Sequence, residues 1–179
     1  MAAVDGHIAG QMQQATGGVP FLVEESTRWL VRQGRLALRD GLCVAQPASA
    51  ALDLHVEVGR GIVAQAAMQG REALLCLQLL AVCARPLDLD HLRQAMGDSA
   101  SDPAPAPAEL SGTLLALESE QFVVAVAGNR PLYALAHDRI RESLFAALGA
   151  DERAALHGRL GRAFETFLRT TDAAELAVL

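Results

Sequence analysis

The chain has 179 residues, 51% hydrophobic and 20% charged, enough apolar material for one or two small domains with a real core. Its formal net charge is −6 and all 15 basic residues are Arg; without any Lys, a phosphate loop of the form Gly-x-x-x-x-Gly-Lys-Ser/Thr is excluded from this sequence. The longest apolar run, "ALLCLQLLAVCA" at 73–84, is interrupted by Gln78 and falls short of the ~20 residues a bilayer requires. It reads as a buried core helix, and no membrane span is expected.

The N-terminus "MAAVDGHIAG" has neither the basic start nor the apolar stretch of a signal peptide, so a cytoplasmic location is expected. Residues 7–16 read as the end of a helix, broken by "GG" at 17–18. Pro20 then opens a second helix, through Gln33, at the position where a missing N–H costs nothing. Leu22, Trp29 and Leu30 line one face of it, Glu24 and Arg28 are spaced to pair on another, and Gly34 supplies the stop. "RLALRDGLCVA" reads as a hairpin turning at Asp40-Gly41, and "QPASAA" at 46–51 as a linker and domain boundary.

Helices are expected next at 54–68, 71–84 and 88–96, with Asp88 and Asp90 serving the start of the third. "GDSASDPAPAPAE" at 97–109 is a Pro-Ala insertion expected to be mobile. A helix at about 107–119 carries Leu110, Leu114 and Leu117, and "QFVVAVA" and "PLYALAH" form a second hairpin. "YALAHDRIRESLFAAL" at 133–148 changes period in mid-run: strand up to Ala136, then helix from Asp138, with Ile140, Leu144 and Leu148 four residues apart. His137 and Asp138 stand at the joint. The last helix runs from Asp151 to about Arg169, its face being Leu156, Leu160, Phe164, Phe167 and Leu168. Three helices followed by a hairpin is the winged-helix arrangement on a helix-turn-helix core, the wing being 121–136.

Most of the polar residues read as structural. Cys43, Cys76 and Cys83 form no Cys-x-x-Cys pair, and the last two sit about ~10 Å apart along one helix, too far for a disulfide. They read as reduced, buried thiols. There is no Gly-x-Ser-x-Gly elbow, no His-Glu-x-x-His and no paired Cys/His spacing for zinc, and His55, His91 and His157 are isolated on packing helices. The helix that would enter a DNA groove holds Glu109, Glu118 and Glu120 and no Arg, and the wing offers only Arg130, so direct nucleic-acid binding is not expected. At the joint, Asp138 reads as a helix cap. His137 reads either as a backbone-bonded strand end or as a ligand-facing group.

Two stretches carry a family resemblance. "ATGGVPFLVEESTRWLVRQGRL" resembles the "TGGNPFF" segment in the lid of signal-transduction ATPases of the STAND class, an AAA+-related group, with Val19 where the family usually has Asn. "YALAHDRIRESLFAALGADERAALHGRLGRAF" resembles the end of their winged-helix domain, as in large bacterial serine/threonine and histidine kinases with an embedded ATPase module and in related transcriptional regulators. The resemblance implies a mainly α chain: lid at 1–46, winged-helix domain at 52–148 with the insertion at 97–109, and the start of a helical repeat region at 150–179. It implies ATP or ADP as cofactor, with Gly18 and Pro20 forming a turn near the adenine and His137 contacting the β-phosphate of ADP in a closed, inactive state. The partners implied are the P-loop half of the same ATPase and the effector of a longer parent: a kinase, cyclase or transcription regulator. No catalysis is expected from this chain alone. A free-standing winged-helix transcriptional regulator and a helical protein-interaction module are the alternatives.

Overall fold

The computed structural model describes residues 3–4, 6–39, 42–45, 53–97, 103–127 and 130–176. The Asp40-Gly41 turn, the linker at 46–51, part of the 97–109 insertion and part of the second hairpin loop lie outside the described residues. The protein is mainly helical, and it divides into two compact units, residues 1–65 and 66–179.

The first unit begins with a two-residue strand, β1 (Ala3–Val4), and a complete helix, α1 (Gly6–Thr16), where the sequence suggested only a helix end. Ile8, Met12 and Ala15 of α1 are buried at helical spacing. Helix α2 (Pro20–Arg32) has Pro at its first position and buries Leu22, Ser26 and Leu30, with Trp29 half-buried; Arg28 pairs with Glu24, as its spacing indicates, and also with Glu25. The helix stops at Gly34, φ +64°, whose N–H donates to Val31 O at 3.0 Å while Arg35 N–H donates to Leu30 O at 2.8 Å. This crossed pair of bonds satisfies carbonyls that the helix end leaves open. The chain runs directly into an antiparallel hairpin, β2 (Leu36–Arg39) and β3 (Leu42–Ala45), and β1 adds to β3 in parallel. Helix α3 (Leu54–Met68) follows, and the division between the units falls within it.

Helix α4 (Arg71–Cys83) is the centre of the second unit. Its buried residues, Ala73, Cys76, Leu77, Leu79, Leu80, Ala81 and Val82, occupy most of its circumference, because other elements pack on several sides of it. Those are α5 (Leu89–Met96), α6 (Pro107–Ser119), α7 (Asp138–Ala147) and α8 (Ala150–Leu176). A three-stranded antiparallel sheet lies beside them: β4 (Leu87–Asp88), β5 (Val123–Val126) and β6 (Leu132–Leu135), in the order β4-β6-β5. β4, which pairs Leu87 with Tyr133 and Asp88 with Leu132, is too short to leave a periodic signal in the sequence.

Two details differ from expectation. The described end of the Pro-Ala insertion is packed, since a Cβ on Gly97 would lie 2.8 Å from the backbone N of Ala104; the chain returns against the end of α5 before α6 begins. On α8 the inward face is Leu156, Leu160 and Ala163, with Phe164 and Phe167 half-buried, whereas Leu168, expected on that face, is 66% exposed.

Candidate functional site

His137 links β6 to α7. It is the residue before the helix, with extended backbone (φ −152°, ψ 143°), and its carbonyl accepts from Ile140 N–H at 3.1 Å and Arg141 N–H at 3.3 Å. Its side chain does not cap the helix. Nor does Asp138 act as the cap expected of it: it is the first residue of α7, its side chain is 86% exposed, and Oδ1 lies 3.6 Å from Arg141 Nε. Capping needs a carboxylate one position earlier, folded back over the first turn. The helix therefore starts without a side-chain cap, and the imidazole is left for something else.

Its Nδ1 is buried and has no hydrogen-bond partner among the described residues. Leaving such a group unpaired costs about 1–3 kcal/mol. His137 lines a small cavity of about 140 Å³ together with Arg85, Pro86, Asp138 and Arg141, closed on the apolar side by Leu80, Ala84, Ala134 and Leu135. Two arginines and one histidine thus line one recess with a single acidic residue. Trp29 Nε1 and Arg93 Nε are also buried with no hydrogen-bond partner among the described residues, but neither residue lines this cavity. A larger hollow of about 460 Å³ between the start of α4 and the flank of α6 carries Arg71 and Glu72, of opposite sign, and lacks the net positive lining.

The other two candidate residues belong to the first unit. Gly18, φ +74°, lies in the turn between α1 and α2, where a side chain would be strained. Its N–H donates to Thr16 Oγ1 at 3.3 Å, and Thr16 Oγ1 donates to Met12 O at 2.8 Å. Pro20 opens α2 and is exposed. Gly18 and Pro20 thus stand together in one turn, and His137 stands in the other unit.

Reading the sequence also missed a cluster around His91. Asp88 is the N-cap of α5, as its position suggests, and Oδ1 accepts from His91 N–H at 2.8 Å and from His91 Nδ1 at 2.7 Å. Burial alone would raise the Asp88 carboxyl, but the bonds from His91 and the charges of His91 and Arg130 outweigh it and hold the group below its ordinary 3.8. The His91 ring stacks on Phe167 at 4.0 Å between centroids and tilts against Phe164 at 4.9 Å, while Arg85 lies over Phe164 at 4.4 Å. The histidine that looked isolated therefore fastens α8 to the start of α5. Arg159 adds to the seam by donating to Met96 O at 2.9 Å. The ring partner of His91, Phe167, is 76 positions further along, beyond the reach of any spacing rule.

The remaining polar chemistry is structural. Burial pushes the Cys76 thiol up to about 12, which keeps it protonated and unreactive, and Cys83 is a free thiol. Among the described residues no three His, Cys, Asp or Glu gather as a metal-binding group, and no helix is long and apolar enough to cross a membrane. Both acids of α6 have local work. Glu109 accepts from Ala106 N–H at 2.9 Å at the head of the helix, and Glu118 accepts from Ala125 N–H at 3.4 Å on β5. No protein-family model, curated protein or solved structure matches this chain.

Proposed function

We propose that this chain is the lid and winged-helix part of a STAND-type regulatory ATPase, which couples ATP or ADP held by a P-loop half to an effector. The observation that carries the reading is the unpaired, buried Nδ1 of His137 beside a cavity lined by Arg85 and Arg141. A phosphate oxygen suits a recess lined by two arginines, and pairing Nδ1, which has no accessible surface as the ring stands, takes a turn of the imidazole. The order α4, β4, α5, α6, β5, β6, with β6 pairing back to β4, supports the winged-helix assignment. The Gly18–Pro20 turn, rigid at its proline and permissive at its glycine, suits a wall of the nucleotide site. In this reading the contact from His137 exists only while the two parts are closed on ADP, so it works as a bistable latch. In this reading the chain by itself turns over no ATP, since it has no Lys to serve a phosphate loop.

The test is His137→Ala in the intact parent protein, with ADP affinity and thermal stability measured on the same sample. Loss of one charge-assisted hydrogen bond removes about 1.5–3 kcal/mol, a loosening of ADP of roughly tenfold or more with a matching shift toward the open state. A purely structural His137 gives the opposite pattern: a lower melting temperature and unchanged ADP affinity per folded molecule.

A further inference from the structure

β5 is an outer strand of the β4-β6-β5 sheet, so one of its edges pairs with no strand among the described residues. Phe122 O accepts from Ala136 N–H at 2.9 Å, and alternation along the antiparallel ladder then turns the main-chain groups of Val124 and Val126 toward β6 and those of Ala125 outward. The outward Ala125 N–H is taken by a side chain. It donates to Glu118 Oε1 at 3.4 Å, at the long end of hydrogen-bond range, and both residues are exposed. The surface around this edge is apolar: Leu115, one turn before Glu118 on α6, and Val124 and Val126 on β5 are three of the seven large hydrophobic residues exposed among the described residues. An outer strand of three valines and an alanine, with no charge of its own, is a template for a further strand. The carboxylate of Glu118 stands in its place.

We propose that the outer edge of β5 is a self-association surface for a second copy of this chain, and that Glu118 holds it shut. A second β5, antiparallel about a twofold axis at Ala125, exchanges N–H to C=O bonds with the first Ala125 and takes over the donor that Glu118 holds. Val124 of each copy then lies opposite Val126 of the other, which covers the exposed valines of both. Charge favours a second copy over an unrelated strand. Arg130 stands at the loop end of the hairpin, five positions after Ala125, and Glu120 at the opposite end, five before it, so the axis brings each Arg130 to Glu120 of the other copy. The present contact of Arg130, with Asp90 Oδ2 at 3.8 Å and both side chains largely exposed, is weak enough to exchange. With four residues in β5 the contact is small, so the association is transient and Glu118 sets its strength.

The experiment follows sedimentation of the 179-residue chain over a concentration series, for wild type and Glu118→Ala. Glu118→Ala should self-associate roughly tenfold more tightly, because two weak hydrogen bonds, one in each copy, no longer compete. In the Glu118→Ala background, Val124→Lys should return the chain to monomer, and Leu168→Ala, on the exposed side of α8, should leave association unchanged. In the same background Arg130→Glu should weaken pairing severalfold and the addition of Glu120→Arg should restore it. That charge exchange keeps the test decisive if Val124→Lys does not fold. A Glu118→Ala chain no more associated than wild type overturns the surface. So does association that survives Val124→Lys, or that Leu168→Ala weakens equally. A monomeric Glu118→Ala chain whose Ala125 amide signal moves when a short extended apolar peptide is added overturns the second copy as occupant and assigns the edge to a foreign strand.

Discussion

The two units contain the same local device built from different residues. In the first, α2 ends at Gly34 and enters the β2–β3 hairpin; in the second, α6 ends at Gln121 and enters the β5–β6 hairpin. The closing bonds correspond one for one: Gly34 N–H to Val31 O and Arg35 N–H to Leu30 O in one, Gln121 N–H to Glu118 O and Phe122 N–H to Leu117 O in the other. Gly34 takes its φ of +64° freely, while Gln121 holds φ +57° with a Cβ in place, at a cost of about 1–2 kcal/mol. What offsets that cost is the next residue. Phe122 is 1% exposed and follows Leu117, equally buried, whereas the first unit has Arg35 at the equivalent place. A helix stop can thus be specified by backbone permissiveness or by burying the residue beyond it.

The largest expected effect tests that second strategy. Phe122→Ala should cost about 3–5 kcal/mol, as for other large buried aromatics, and should loosen the α6–β5 junction. Hydrogen exchange read unit by unit is the check: protection should fall in 66–179 and stay at wild-type level in 1–65. Equal losses in both units would mean that the two devices are not independent.

Exchanging the glycine sharpens the comparison at lower cost. Nothing lies within 4 Å of a Cβ built on Gly34, so Gly34→Ala tests the backbone alone and should destabilise by about 1 kcal/mol or somewhat more. Gln121→Gly should act in the other direction and gain less than about 1 kcal/mol, because glycine's freedom in the unfolded chain subtracts from the relief. Urea midpoints of the two variants should move in opposite directions; movement in the same direction would break the equivalence.

These devices explain what the sequence made legible. Pro20, Gly34, Asp88 and the four-residue spacing of Ile140, Leu144 and Leu148 act within one turn or one helix, and each was readable in place. Gln121 gave no warning, since nothing about a Gln announces a left-handed backbone. β1 and β4 were invisible for a related reason: two residues define no period, and their pairing partners lie about forty residues away. Leu168 misled because the face was read by hydrophobicity, while the buried position on that side of α8 belongs to Ala163, small enough for close packing. At the site, His137 was legible from its position at a change of period. Arg85 was not, because it reaches the cavity from the loop after α4, about fifty residues earlier.

The smallest effect concerns the third strand, which the two hairpins also acquire differently: β1 joins β3 in parallel, and β4 joins β6 antiparallel and hands directly to α5 through Asp88. Because the folded state holds Asp88 below 3.8, its stabilising contribution is complete above that value. It fades as pH falls from 3.8 toward the depressed value, and is gone below it. Asp88→Asn isolates the charge, since Asn caps a helix about as well as Asp. The variant should be less stable than wild type at neutral pH, and the difference should close as both are taken below 3.8. The loss should register in the exchange of α5 amides, where Asp88 accepts from His91 N–H, and leave the first unit's hairpin untouched. A stability difference that persists unchanged at acid pH would show that His91 and Phe167, rather than the Asp88 charge, hold this end of α8.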